Sequence, residues 1–334
     1  MNLWRRFLIG FAAVALSATL AGCGNQNSAG NTTSAATNSA GGARKLRIAV
    51  IPKMLDNPVF GYAHTGALRA AKQLGNVEIL WDGPPKDDPA QQAQIVDSMV
   101  AQGVDAILIT CANPDILKRP IDKAAAAGIP VITFDSDSPD SKRVAYYGVD
   151  DTKLGQRLGE DIARLLNGKG RVAILSGVQG ALNLQRRDAG VRAALKKYPG
   201  ITPLETQFCN DDLPRSVQIV SDVTRSQKPD GWVFVGGWPM FVKNGLNAIP
   251  IGKVKVVSVD PLPDTWHWIE EGRVQVVLGQ KVFGWGEEGV KLAVKAINKE
   301  KLPTVNDSGF DVVTPQTFAA YKQQWDEMNK GVQS

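Results

Sequence analysis

From residue 45 onward, short apolar runs alternate with longer segments whose apolar residues fall at helical spacing. Residues 46–51 read as a strand, 61–74 as a helix, 77–81 as a strand and 89–102 as a helix. Strand 105–110, helix 115–127 and strand 130–134 continue the series. The second half repeats it with helix 152–167, strand 172–175, helix 184–198, strand 203–208, helix 214–227 and strand 232–235. A short helix at 239–247, strand 254–259, helix 263–271 and strand 274–278 follow. Strands separated by helical segments of about 10–15 residues are the pattern of βαβ units and a parallel sheet. The strand runs are apolar on both faces, as expected when helices cover both sides of a sheet. The pattern therefore predicts an α/β body of two similar lobes, each one doubly wound parallel sheet.

The first 43 residues break this pattern. Arg5 and Arg6 precede an uncharged apolar run over 7–20, which is shorter than the roughly 20 residues that span a bilayer. The run ends in Leu20-Ala21-Gly22-Cys23. Residues 1–22 read as a secretory signal peptide, and the four-residue ending resembles a bacterial lipobox, in which Cys23 would carry lipid. Residues 24–43 are almost entirely Gly, Asn, Ser, Ala and Thr. Such a stretch buries too little apolar surface to offset its ordering entropy. Residues 23–43 are thus expected to be a lipid-anchored flexible linker, and contact with the membrane is expected through that lipid alone.

Composition adds limits. The chain has 334 residues, enough for about two domains, and is 43% hydrophobic and 21% charged. Its charge excess, 38 Lys and Arg against 33 Asp and Glu, is small and scattered. That argues against a nucleic-acid partner. Beyond Cys23 only Cys111 and Cys209 remain, each at the end of an apolar run. They are expected to be buried free thiols.

Ligands bind such sheets at the carboxyl ends of the strands. Those positions hold Lys53, Asn57 and Phe60 after the first strand, and Asp135, Ser136 and Asp137 after the fourth. In the second half they hold Gln179 to Gln185, Asn210 and Asp211, Gly237-Trp238-Pro239, Asp260 and Gln280. Carboxylates accept from hydroxyls, and amides both donate and accept. Aromatic faces pack the C–H face of a sugar ring. The collection suits a neutral polyhydroxylated ligand. Competing chemistries lack their signatures. No GxGxxG follows the first strand, and no phosphate-binding GxxxxGK[ST] or GxSxG elbow occurs. His64 and His267 are the two histidines and have no metal-ligand spacing. No metal, cofactor or catalytic group is expected. Asp135 and Asp260 as an acid–base pair would leave their polar neighbours unexplained.

The region 46–313 resembles the bacterial periplasmic sugar-binding proteins of the ribose-binding type. Val131-Ile132-Thr133-Phe134-Asp135 is similar to that family's fourth strand with its sugar-binding Asp. Asn57-Pro58-Val59-Phe60 is similar to its Asn-Pro-aromatic-aromatic turn, with Val59 in place of one ring. Val256-Val257-Ser258-Val259-Asp260 corresponds to its second binding Asp, and Gln280 to a hinge-side Gln. The resemblance implies a non-enzymatic solute receptor, monomeric and exported to the periplasm or cell surface, that serves an ABC transporter permease. It implies a three-segment hinge, with 44–149 plus 281–308 in the first lobe and 150–280 plus 309–334 in the second. Closure would trap ligand between the lobes. The expected ligand-binding residues are Lys53, Asn57, Phe60, Asp135, Gln185, Trp238, Asp260 and Gln280.

Departures from the family pattern bear on the ligand. Ser136 and Gln185 stand where the family places Arg, and Gly237-Trp238-Pro239 stands where it places Asn or Asp. Arg186 and Arg187 are expected to be structural, Trp266, Trp268 and Trp285 to be packing residues, and Asp56 and Asp137 to be solvated. Lys53 is expected to pair with Asp56 or Asp82. With no Arg fork for an anion, a small neutral sugar or polyol other than ribose is expected. Ile51-Pro52-Lys53, Trp81-Asp82-Gly83-Pro84 and Asp135-Ser136-Asp137 also resemble the autoinducer-2 and rhamnose receptor branch; a receptor for autoinducer-2 or a sugar-sensing subunit is the alternative reading, ahead of a lipid-anchored carbohydrate enzyme.

Overall fold

The computed structural model describes residues 44–330. The expected signal peptide at 1–22, the lipidation site Cys23 and the linker at 23–43 lie outside the described residues. The first half forms β1 (Leu46–Ile51), α1 (Pro58–Leu74), β2 (Val77–Trp81), α2 (Pro89–Ala101), β3 (Ala106–Ile109), α3 (Pro114–Ala126), β4 (Val131–Phe134) and β5 (Ala145–Gly148). There follow α4 (Asp151–Leu165), β6 (Lys169–Ser176), α5 (Leu182–Leu195), β7 (Gly200–Pro203), β8 (Gln207–Phe208), α6 (Leu213–Gln227), β9 (Gly231–Phe234) and β10 (Lys255–Val259). The chain ends with α7 (Trp266–Glu270), β11 (Val276–Gln280), α8 (Val282–Ile297), β12 (Val305–Asp307), β13 (Phe310–Val313) and α9 (Phe318–Lys330).

Local sequence explains the helix starts. Asn57, Asp88 and Asn113 each accept from the first-turn backbone N–H groups of α1, α2 and α3, and each is followed by Pro. A side-chain acceptor at the N-cap offsets an orphan donor, and Pro at the first helical position loses nothing because its missing N–H had no partner there.

The strands assemble into two sheets. The first has the order β12-β5-β4-β3-β1-β2 and is parallel throughout. The second has the order β13-β11-β10-β9-β6-β7, with β8 also pairing β6, and only β13 runs antiparallel. The chain passes from one sheet to the other three times: through Val149-Asp150 into α4, through Lys281 into α8, and through Ser308-Gly309 from β12 to β13. Helix α8 returns to the first sheet and packs against α1. These two helices touch backbone to backbone. A Cβ on Gly286 would lie 1.8 Å from the Ala63 carbonyl oxygen, so the contact requires glycine. Fully buried strands such as Ile107-Leu108-Ile109 and Val256-Val257 form the cores. The order in which each sheet doubles back from its first strand is the α/β arrangement that the alternation predicts.

The structure departs from the periodicity at short elements. β5, β12, β13 and α9 carry no signal in the alternation. The expected strand 203–208 is split into β7, which ends at Pro203, and the short β8, both paired with β6. The expected helix 239–247 is a single 3₁₀ turn at Trp238–Phe241. The expected helix 263–271 is a 3₁₀ turn at Pro263–Thr265 leading into α7.

Helix α9 also differs from expectation. The second lobe is expected to include 309–334, but α9 packs on both lobes. The Trp325 ring meets Tyr62 at 5.0 Å and Phe283 at 5.2 Å on the first lobe, and Trp266 at 6.4 Å on the second. Arg69 of α1 donates to the Met328 carbonyl. Cys111 and Cys209 are free and buried, as expected. Among the described residues no group of His, Cys, Asp or Glu is arranged to hold a metal, and no helix is long and apolar enough to cross a membrane.

Candidate functional site

Asp135, Asp211 and Asp260 follow β4, β8 and β10 with φ of 54°, 55° and 66°. Left-handed backbone is uncommon for residues other than Gly, and Asp is among those that tolerate it. Three strand ends of this kind, one from the first sheet and two from the second, face one crevice.

On the first-lobe side Asp135 is enclosed. It accepts from Thr110 Oγ1 at 2.9 Å and lies 3.3 Å from Lys53 Nζ. From the second lobe, Asn183 Nδ2 donates to it at 3.2 Å, and Arg187 Nη2 approaches to 3.8 Å. The buried amide of Gln92 on α2 fixes the neighbouring strand ends by donating to the carbonyls of Pro52 and Thr110. Lys53 therefore pairs with Asp135 and not with Asp56 or Asp82. Burial pulls its ammonium pKa down, but Asp135, Asp211 and Asp87 outweigh that and hold it above the usual value.

On the second-lobe side a chain of contacts crosses the crevice floor. Arg187 donates from Nε to Asp151 at 2.7 Å, from Nη1 to the Val235 carbonyl at 3.1 Å and from Nη2 to Gln280 Oε1 at 2.7 Å. Gln280 Nε2 in turn donates to Asp260 at 2.8 Å. Burial pushes the Asp260 carboxyl up to about 6, against the pull of Arg187 and Gln280. Burial likewise pushes Asp211 up to about 7, opposed by Lys53. Trp238 folds back over its own strand end. A Cβ on Gly236 would lie 2.3 Å from the indole ring, so that position must be glycine.

Seven of the eight expected ligand-binding residues line one narrow cavity of about 30 Å³: Lys53, Asn57, Phe60, Asp135, Trp238, Asp260 and Gln280. Gln185 is the exception. It is exposed and donates to the Gln179 carbonyl at 2.6 Å. Residues two apart on a helix face different sides. Helix α5 turns Asn183, Leu184 and Arg187 toward the crevice, and Gln185 and Arg186 away from it. Arg187, expected to be structural, is therefore a cavity residue. Trp285, expected to be packing, lines the same cavity, and its ring centre lies 6.2 Å from that of Phe60. Asp211 also lines it. Asp137, expected to be solvated, is buried and clamped by Arg143 at 2.6 Å and Thr133 at 2.6 Å. Arg187 and Trp285 had no separate signal in the sequence. Asp211 did, because it follows a strand.

The chain matches the model of the periplasmic binding protein domain over residues 48–301. It is similar to the D-ribose/D-allose-binding protein of Pseudomonas aeruginosa, with 28% identity over 265 residues that cover 76% of this chain and 82% of that protein. It is also similar to the ribose import binding protein RbsB of Escherichia coli K12, with 26% identity over 80% of this chain and 90% of that one. Among solved structures, an ABC transporter solute-binding protein from Burkholderia graminis in complex with D-arabinose superposes with a TM-score of 0.80 at 34% identity. That superposition covers 84% of this chain and 99% of the other. Two doubly wound sheets, three crossings and a polar crevice at the strand ends agree with the matched domain, and the chain belongs to the periplasmic binding protein family.

Proposed function

We propose that this protein is an exported receptor that captures a neutral monosaccharide or polyol between its lobes and delivers it to an ABC importer. The observation that carries the reading is the convergence of Asn57, Phe60 and Asp135 from one lobe with Trp238, Asp260 and Gln280 from the other on a single crevice. The names of its relatives, which bind or import ribose, allose and arabinose, support a sugar. Charge balance supports a neutral one. Lys53 and Arg187 are engaged by Asp135 and Asp151, and Asp211 and Asp260 add two more carboxylates. A ligand anion would meet a net acidic wall. The lipobox-like ending at Cys23 supports retention of the receptor at a membrane surface by lipid, with 24–43 as its tether.

A thermal-shift screen of the soluble body against pentoses, hexoses, alditols and sugar phosphates tests the reading. A ligand at 100 times its Kd adds about 2.7 kcal/mol of stability. A neutral sugar or alditol is expected to raise the unfolding temperature. Stabilisation by sugar phosphates alone would overturn the neutral-ligand assignment. Lys53, buried at the crevice, favours the autoinducer-2 alternative, so that signal belongs in the screen.

A further inference from the structure

Two cavity atoms have nothing to bond to. Trp285 Nε1 and Asp211 Oδ1 are buried and have no hydrogen-bond partner. Leaving such a group unsatisfied costs about 1–3 kcal/mol, and native structures do so rarely. Around them the polar groups are partnered: Asp135 by Thr110 and Lys53, Arg187 by Asp151, and Gln280 by Asp260. The two atoms also sit on different lobes, because α8 packs on the first sheet and Asp211 follows β8 of the second.

We propose that Trp285 and Asp211 select the ligand: the indole N–H donates in the plane of its ring to an oxygen of a cyclic sugar whose C–H face lies on the Phe60 ring, and the Asp211 carboxyl accepts from one of its hydroxyls. The inference rests on the sugar-receptor reading and narrows it to rings over open-chain polyols. Trp285 lies in the first turn of α8, just past the crossing at Lys281, and is 1% exposed. Its ring centre is 6.2 Å from both Phe60 and Phe134. Val59 lines the cavity beside Phe60 and offers no ring, which leaves Phe60 as the stacking face and the Trp285 N–H as the donor beside it. An aromatic wall packs the flat C–H face of a ring, and a flexible alditol must first give up rotational freedom to present one. Asp211 is wedged in place: a Cβ on Gly177 would fall 1.8 Å from its Oδ1. A wall built to bond a hydroxyl discriminates strongly against an analogue without it, because the polar group is then left unpaired. Since the two groups belong to different lobes, one ring can satisfy both only when the crevice is shut, and that differential affinity favours closure.

The test is calorimetric titration of the wild-type body, Trp285→Phe, Trp285→Leu and Asp211→Asn with D-ribose, D-allose, D-arabinose and the alditol ribitol. Wild type is expected to bind at least one cyclic sugar at least tenfold more tightly than ribitol. Trp285→Phe keeps a ring and loses the donor, and is expected to lose about tenfold in affinity while still preferring the cyclic sugar. Trp285→Leu, which loses both the donor and the ring packed beside Phe60, is expected to lose at least as much. Asp211→Asn, which keeps the side-chain shape and replaces one acceptor oxygen by an amide, is expected to lose about tenfold. If wild type binds a cyclic sugar but Trp285→Phe and Asp211→Asn both bind it within twofold, the inference is overturned while the receptor reading stands. If ribitol binds as tightly as the sugars, the ring preference is overturned. If neither these compounds nor any neutral sugar of the thermal-shift screen binds, the sugar-receptor reading falls and takes the inference with it.

Discussion

Asp135 and Asp260 end corresponding strands, the third in from the same edge of each sheet, and both adopt left-handed backbone. Their surroundings differ. Asp135 carries an ion pair with Lys53, a hydroxyl donor and contacts from the opposite lobe. Asp260 is bonded to the neutral amide of Gln280, and its lobe also holds Asp211 with one oxygen unpartnered. The first lobe thus brings its charge to the crevice already compensated. The second lobe brings carboxylates that are raised in pKa by burial and have acceptor capacity to spare. Identical backbone turns have been put to two uses: an anchored post on one side, and acceptors waiting for donors on the other.

Removing the anchored carboxylate should have the largest effect. Asp135→Ala leaves the buried Lys53 ammonium without its partner, and breaking one side of a buried pair costs about 3–5 kcal/mol. Chemical denaturation should show a loss of that order, and calorimetry an affinity loss of a hundredfold or more. An unchanged denaturation midpoint would mean that the Lys53–Asp135 pair does not hold the first lobe's crevice edge.

Asp260→Ala should separate binding from stability. It removes a hydrogen bond to a neutral amide, worth about 0.5–1.5 kcal/mol, so the fold should be only mildly weakened. Ligand affinity should still fall at least tenfold. Equal stability losses in Asp135→Ala and Asp260→Ala would erase the distinction drawn between the two lobes.

Smaller again is the pH effect. Asp211 and Asp260 have folded-state pKa values of about 7 and 6, above the ordinary carboxylate value near 4. The folded chain therefore binds more protons than the unfolded chain between roughly pH 4 and 7, and this contribution to stability falls as pH rises through that window. The slope is at most about 1.4 kcal/mol per pH unit for each group. Unfolding temperatures of the ligand-free protein should decline from pH 5 to pH 8, and Asp211→Asn should flatten the decline. A slope unaltered by that substitution would remove Asp211 from the titrating groups.

Gln185→Ala should do least. Its side chain is exposed and bonds only the Gln179 carbonyl, so affinity should stay within about twofold. Arg187→Gln, one helical face away, should instead release Asp151 and Gln280 together and abolish tight binding. A large effect at Gln185 would mean that α5 presents its other face to the ligand.

Much of this molecule was legible in one dimension. Alternating apolar runs and amphipathic segments encode strands and helices because burial on a sheet or a helix face imposes a period on the chain. Asn and Asp before Pro mark the starts of α1, α2 and α3 through local hydrogen bonds. Polar residues just past strand ends fall in the crevice because parallel sheets place all those ends on one side, which is why seven of the eight candidates meet. Contacts between elements distant in sequence were decided only by tertiary packing. The face of α5 that lines the cavity depends on how that helix docks against α4, so Arg187 and not Gln185 enters it. Trp285 joins Phe60 because α8 returns across the hinge to the first lobe, and Lys53 finds Asp135 because the parallel strands β1 and β4, with β3 between them, end on the same side of the sheet. β5 (Ala145-Tyr146-Tyr147-Gly148), β12 (Val305-Asn306-Asp307) and β13 (Phe310-Asp311-Val312-Val313) carry no continuous aliphatic run, and they form because a neighbouring strand supplies their hydrogen bonds. A period reports what a segment buries, while the identity of its partner is fixed only when the sheets are assembled.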